Sequence, residues 1–150
     1  MIRLVGKCFK PCKEDEDYEL FKSLGLDEES YSLEIHFDLN GAKILKSKFK
    51  TALNEAKAVI EIDENSFLEE GKIINELVII SKKWPYDGAM FKLDYFSETL
   101  ILEIDSEVLE GEIRGFNDCI EGGDFIPAEI CDADYKDTEI SIYGIFIPEI

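Results

Sequence analysis

The most regular stretch of the sequence alternates apolar and polar residues from position 31 to position 39. The apolar positions are Tyr31, Leu33, Ile35, Phe37 and Leu39, and the polar positions between them are Ser32, Glu34, His36 and Asp38. A period of two residues indicates a strand with one buried face and one wet face. We therefore predict a half-buried strand on which His36 faces solvent.

The remaining hydrophobic spacing predicts two helices and a series of short strands. Apolar residues recur at helical spacing over 14–24 and over 42–57, and the second stretch is rich in Ala, Lys and Leu. Alternating or short apolar runs predict strands at 2–9, 59–63, 74–82, 90–96, 100–105, 112–120, 125–131 and 139–147. Turns are expected at 85–88 and at the glycines of 121–125.

This order of elements predicts a single acidic α+β domain over residues 1–150. Two helices cannot supply the crossovers that so many parallel strands would need. We expect a predominantly antiparallel β-sheet, as a curved sheet or a sandwich, with one or two helices, and a meander over 59–105. The segments 60–73 and 102–113 share an acidic strand-and-turn pattern, but such composition produces matches by itself, so a true internal duplication is not predicted.

The charge is the most unusual property of the composition. The chain has 34 acidic and 16 basic residues and a formal net charge of -18. Residues 84–150 contain 17 of the acids but only three bases, Lys92, Arg114 and Lys136. Such a surface repels phosphate backbones and anionic lipids and attracts cationic proteins. Direct binding to nucleic acid or to a membrane is therefore not expected.

The N-terminal sequence has no apolar run of signal-peptide length, and no segment is long and apolar enough to span a bilayer. The predicted location is the cytoplasm, where Cys8, Cys12, Cys119 and Cys131 stay reduced. These cysteines lack the spacing of a zinc knuckle. The run that begins at Asp132 resembles the start of a calcium loop, but Asp137 stands where such a loop needs glycine and Tyr143 stands where it needs glutamate. No metal and no cofactor is predicted.

Catalysis needs a positioned base, nucleophile or metal, and the sequence offers only one histidine and no recognisable catalytic motif. The sequence therefore favours a binding protein over an enzyme without deciding between them. The alternative is a small enzyme or ligand-binding domain that uses carboxylates such as Asp94, Glu103 and Asp105 in a sheet pocket. A homo-oligomeric structural subunit is a third possibility.

Aromatic residues ringed by acids are typical of interfaces that combine tight binding with electrostatic steering. In size and charge the chain resembles acidic immunity proteins and phage inhibitors, which implies an inhibitor or antitoxin that covers the cationic cleft of a nuclease toxin or nucleic-acid-binding protein. The predicted partner-binding residues lie in the acidic half of the chain: Trp84, Tyr86, Glu103, Asp105, Glu107, Glu110, Glu112, Asp118, Glu121, Asp124, Asp132, Asp134 and Asp137.

Overall fold

A computed structural model describes residues 1–9, 30–66, 74–83, 89–94, 98–135 and 138–148. These residues form an α+β fold, which confirms the predicted class. Its elements are β1 Ile2–Phe9, β2 Ser30–Phe37, α1 Leu39–Glu55, β3 Lys57–Glu61, β4 Glu64–Ser66, β5 Glu76–Lys82, β6 Ala89–Asp94, β7 Thr99–Asp105, α2 Ser106–Ile120, β8 Glu129–Tyr135 and β9 Thr138–Phe146.

The strands form two mixed sheets that are not closed. One has the order β3-β5-β7-β6 and the other has the order β8-β9-β2-β1, with the short β4 beside β1. The two sheets meet where Met90 of β6 pairs with Asp134 of β8. Buried residues of both sheets and both helices belong to a single hydrophobic cluster, so the helices share one core with the strands.

Strand β2 agrees with the alternating pattern of residues 31–39 in part. Leu33, Ile35 and Phe37 are buried, as predicted. The strand ends at Phe37, however, and Leu39 opens α1 with 43% of its surface exposed, so its predicted place on the buried face is wrong. His36 is half-buried rather than solvent-facing, and its Nε2 lies 2.8 Å from Oε1 of Glu34.

Two predictions, one on the segment 112–120 and one on the region 59–105, are wrong. The segment 112–120, predicted as a strand, belongs to helix α2. The buried residues of that helix, Leu109, Phe116 and Cys119, recur at helical spacing. The glycines after α2 therefore follow a helix rather than a strand. The region 59–105 is not a meander, since β5 pairs in parallel with β7 and β6 lies on the other side of β7. The predicted helix at 14–24 and the turn at 85–88 lie outside the described residues.

The pairing pattern repeats within the chain. A first unit, β1-β2-α1-β3-β5, and a second unit, β6-β7-α2-β8-β9, each consist of an antiparallel pair, a helix and another antiparallel pair. The units also exchange equivalent parallel contacts, because β2 pairs with β9 and β7 pairs with β5. The described parts of the similar segments 60–73 and 102–113 fall on β3–β4 and on β7–α2, which are not equivalent elements, so their similarity does not mark this repeat.

Candidate functional site

Both helices begin at an aspartate that ends a strand. Asp38 caps α1 by accepting a hydrogen bond of 2.7 Å from the N–H of Gly41, and Asp105 caps α2 by accepting one of 2.7 Å from the N–H of Glu107. Counting from these caps aligns the two helices. The residues four, eleven and fourteen positions after each cap are buried in both: Ala42, Phe49 and Ala52 in α1, and Leu109, Phe116 and Cys119 in α2.

The helices differ at the core-facing position seven residues after the cap. The first unit has Leu45 there, which is 1% exposed, and the second unit has Glu112, which is half-buried. Burial raises the pKa of Glu112 to about 7. An acid therefore occupies a place in the repeated fold where the other unit has an aliphatic side chain.

Cys131 of β8 lies close enough to Glu112 for the two to interact electrostatically. Burial first, and then the carboxylates of Glu112, Asp132 and Glu129, raise the pKa of the Cys131 thiol to about 12. Cys119 is also free and buried, and burial followed by the charge of Asp124 raises its pKa. Both thiols are therefore poor nucleophiles at neutral pH, since the thiolate is the reactive form.

The segment that follows α2 is mostly exposed, and we refer to residues 121–129, which include the first residue of β8, as the acidic loop. Phe125 is its one buried residue, and its ring stacks on Phe116 at a centroid distance of 4.9 Å and packs edge-on against Phe37 at 5.4 Å. A Cβ added at Gly144 would overlap this ring, and one added at Gly115 would lie 3.1 Å from it. The ring of Phe125 therefore occupies the space that a side chain at Gly144 would need, and it packs tightly against Gly115.

Two backbone hydrogen bonds fix the acidic loop on either side of Phe125. The N–H of Gly123 donates to the carbonyl of Asp118 at 3.0 Å, and the N–H of Gly144 donates to the carbonyl of Ala128 at 2.7 Å. Next to the buried ring, Ile126 is 75% exposed. The loop thus holds one large apolar side chain in solvent on a fixed backbone.

A groove runs between the two helices, and we call it the interhelical groove. It consists of two adjoining depressions of about 350 Å³ and 420 Å³ that share Lys46 and Lys50. Its lining comes from α1 and α2: Lys43, Lys46, Ser47, Lys50, Ile113, Arg114, Asn117, Asp118 and Ile120. Four of these nine residues are cationic and one is acidic, in a chain whose net charge is -18.

Comparison with known proteins does not assign the chain to a family. No protein-family model matches the chain, and neither curated proteins nor solved structures gave a similar one.

The structure separates the predicted partner-binding residues by exposure. Six are exposed: Glu107, Glu110, Asp118, Glu121, Asp124 and Asp132. Asp118, Glu121 and Asp124 follow one another at the C-terminal end of α2 and in the acidic loop, whereas Glu107 and Glu110 lie in the first turns of α2 and Asp132 bonds to Ser141. Trp84, Tyr86 and Asp137 lie outside the described residues, and Asp134 is described only as part of β8.

The carboxylates considered for a sheet pocket are engaged in separate contacts. The carboxylate of Asp105 is used by the cap of α2, and that residue is 9% exposed. Glu103 lies 4.0 Å from Nζ of Lys82, with 15% of its side chain exposed. Asp94 belongs to β6, and its side chain is not described. Neither described residue lines the interhelical groove.

Sequence reasoning missed three features of the candidate site. It did not identify the exposed Ile126, the cationic lining of the interhelical groove or the core position of Glu112. The core position of Glu112 could have been predicted from the sequence, because Leu109, Glu112, Phe116 and Cys119 recur every three or four residues. Within the described ranges no three metal-binding side chains cluster, and no helix there is long and apolar enough to cross a membrane.

Proposed function

We propose that the protein binds a basic protein partner through the acidic loop and thereby inhibits it, in the manner of an immunity protein or antitoxin acting in the cytoplasm. The observation that carries this proposal is Ile126, which is 75% exposed on a loop whose backbone is fixed by Phe125. An exposed apolar side chain on a preorganised backbone binds without an entropic cost of ordering the loop.

The charge around Ile126 fits a cationic partner. Residues 115–135 contain six acids and no lysine or arginine. Glu121, Asp124 and Glu129, all within the acidic loop, are exposed. Carboxylates around an apolar anchor accelerate the encounter with a positive surface, and the anchor slows dissociation once it is desolvated. A nuclease or another nucleic-acid-binding protein carries such a surface where it contacts phosphates.

The proposed mechanism is steric and electrostatic. The acidic loop enters the positive cleft of the partner, its carboxylates approach the lysines and arginines that bind phosphate, and Ile126 contacts the apolar floor of the cleft. The substrate is excluded because the same cations are covered. This mechanism requires no catalytic residue in the inhibitor.

The experiment isolates the partner from cells that produce the protein and then measures the kinetics of the purified pair. The loop variant Glu121→Gln/Asp124→Asn removes two charges beside Ile126, and the control Glu107→Gln/Glu110→Gln removes two exposed charges from the other end of α2. We expect the loop variant to slow association about tenfold at low ionic strength. We expect Ile126→Ala to accelerate dissociation, with a loss of about 2 kcal/mol in binding.

The control variant distinguishes the acidic loop from the overall negative charge. If both double variants slow association equally, the net charge steers the partner and the loop is not the interface. A purified partner that lacks a basic surface, or that binds Ile126→Ala as tightly as the wild type, would also contradict the proposal.

A further inference from the structure

The interhelical groove is lined mainly by cations in a chain whose net charge is -18. Lys43, Lys46 and Lys50 of α1 and Arg114 of α2 line it, and Asp118 is the single acid of its lining. Lys43, Lys50 and Arg114 are exposed, and within the described residues none of the four cations forms an ion pair. In a chain with 34 acids, four cations therefore lie along one groove together with a single acid.

The lysines are spaced along α1 so that their like charges repel one another and lower the stability of that helix. Lys43 and Lys46 are three residues apart and Lys46 and Lys50 are four apart, so their side chains are neighbours on the surface of α1. Like charges at these spacings repel, and a bound anion converts that repulsion into attraction. A bound anion between the helices would therefore remove a local repulsion among these lysines.

One of the cations is held in place by the second helix. Nζ of Lys46 donates a hydrogen bond of 2.6 Å to Oδ1 of Asn117, across the seam between α1 and α2. The amide oxygen is neutral, so this contact orients the ammonium group without cancelling its charge. A lysine has three donors, and the contact with Asn117 uses one of them.

We propose that the interhelical groove binds a small phosphate-bearing molecule of about mononucleotide size. The depressions of about 350 Å³ and 420 Å³ are in the range of small-ligand sites. Ile113 and Ile120 add apolar surface to the lining, which suits a base or another flat apolar group attached to the phosphates.

The net charge of the chain selects a compact anion over an extended one. A nucleic acid would extend beyond the groove onto acidic surface, where its phosphates are repelled. A compact phosphate group stays within a few ångströms of the lysines, and at physiological salt more distant acids are screened over about 8 Å. The ligand class is therefore a phosphorylated metabolite and not a nucleic acid.

The test uses pyrophosphate, ATP and adenosine as probes in calorimetric titrations of the whole chain at low ionic strength. The variant Lys46→Gln/Lys50→Gln removes the two cations shared by both depressions, and Lys48→Gln removes a lysine of α1 that does not line the groove. We expect pyrophosphate and ATP to bind and adenosine alone to bind much more weakly. The double variant should lose at least about tenfold in ATP affinity, whereas Lys48→Gln should stay within about twofold of the wild type.

The variants distinguish binding in the groove from loss of folding and from diffuse attraction to α1. Circular dichroism first checks that each variant is folded, and Lys43→Gln replaces the double variant if that variant is not. Absence of pyrophosphate and ATP binding to the wild type would overturn the proposal. So would an equal loss in Lys48→Gln and the double variant, because it would show diffuse attraction to α1. The variants leave the acidic loop unchanged, so a failure of this test does not count against partner binding at that loop. The two sites do touch, because Nδ2 of Asn117 in the groove donates a hydrogen bond of 3.2 Å to Oε1 of Glu121 in the loop.

Discussion

The replacement of Glu112 by glutamine or leucine is the sharpest test of the repeated core. The aligned position in the first unit is Leu45, which is fully buried, so the fold accepts an aliphatic side chain there. The pKa of Glu112 is raised by burial to about 7 from the ordinary value of 4.5. The folded protein therefore holds a proton on this side chain over a pH range in which the unfolded chain has released it.

Because the pKa of Glu112 is higher in the folded state than in the unfolded chain, this residue lowers the stability of the fold as the pH rises. Below about pH 4.5 both states are protonated and Glu112 costs nothing through ionisation. Between about pH 4.5 and about pH 7 stability decreases as pH rises, and above about pH 7 the loss is complete. At 1.36 kcal/mol for each pKa unit the upper limit is about 3 kcal/mol, and partial exposure reduces the expected loss to about 1–2 kcal/mol.

Urea unfolding measures this loss of unfolding free energy. We choose about pH 4.5 and about pH 8.5 because these values bracket the raised pKa. We expect Glu112→Gln to match the wild type at the lower pH and to exceed it by about 1–2 kcal/mol at the higher pH. Glu112→Leu should add about 1 kcal/mol more through buried methyl groups. The exposed control Glu110→Gln should stay within about 0.5 kcal/mol of the wild type at both pH values. A difference between wild type and Glu112→Gln that does not change with pH would refute the reasoning.

Three further predictions concern the same core. Gly144→Ala should cost about 1–3 kcal/mol in urea unfolding because its Cβ would displace the ring of Phe125, and no measurable cost would contradict that packing. The thiol of Cys131 should resist alkylation in the native protein at pH 8 and react after unfolding, as mass spectrometry can show; fast native labelling would contradict its burial. Phe37→Ala should cost about 3–5 kcal/mol and His36→Ala about 1 kcal/mol, whereas equal costs would contradict the register of β2.

The sequence predicted those elements whose periodicity was clear. Strand β2 and helix α1 agree with the predicted segments 31–39 and 42–57 to within a few residues, because their apolar spacing admits only one period. Helix α2 was missed because Gly111 and Gly115 lower its helix propensity and Glu112 interrupts its apolar face. Packing between Phe49 and Phe116, at a centroid distance of 5.1 Å, outweighs that weak local preference.

Strand order and the candidate site depended on contacts that local patterns do not encode. The parallel pair of β2 and β9 joins residues more than a hundred positions apart, such as Leu33 and Ile142. The exposure of Ile126 likewise follows from the burial of its neighbour Phe125 between two distant segments. Negative charge was visible in the composition, but only the fold groups Lys46 and Lys50 with Arg114 in the interhelical groove.

The most direct test of the proposed function is hydrogen–deuterium exchange of the protein alone and in complex with its purified basic partner. If the acidic loop is the interface, the backbone amides of residues 122–129 gain protection on binding, and those in the middle of α1 exchange as before. Protection that appears in other segments while residues 122–129 exchange at the same rate would contradict the central claim.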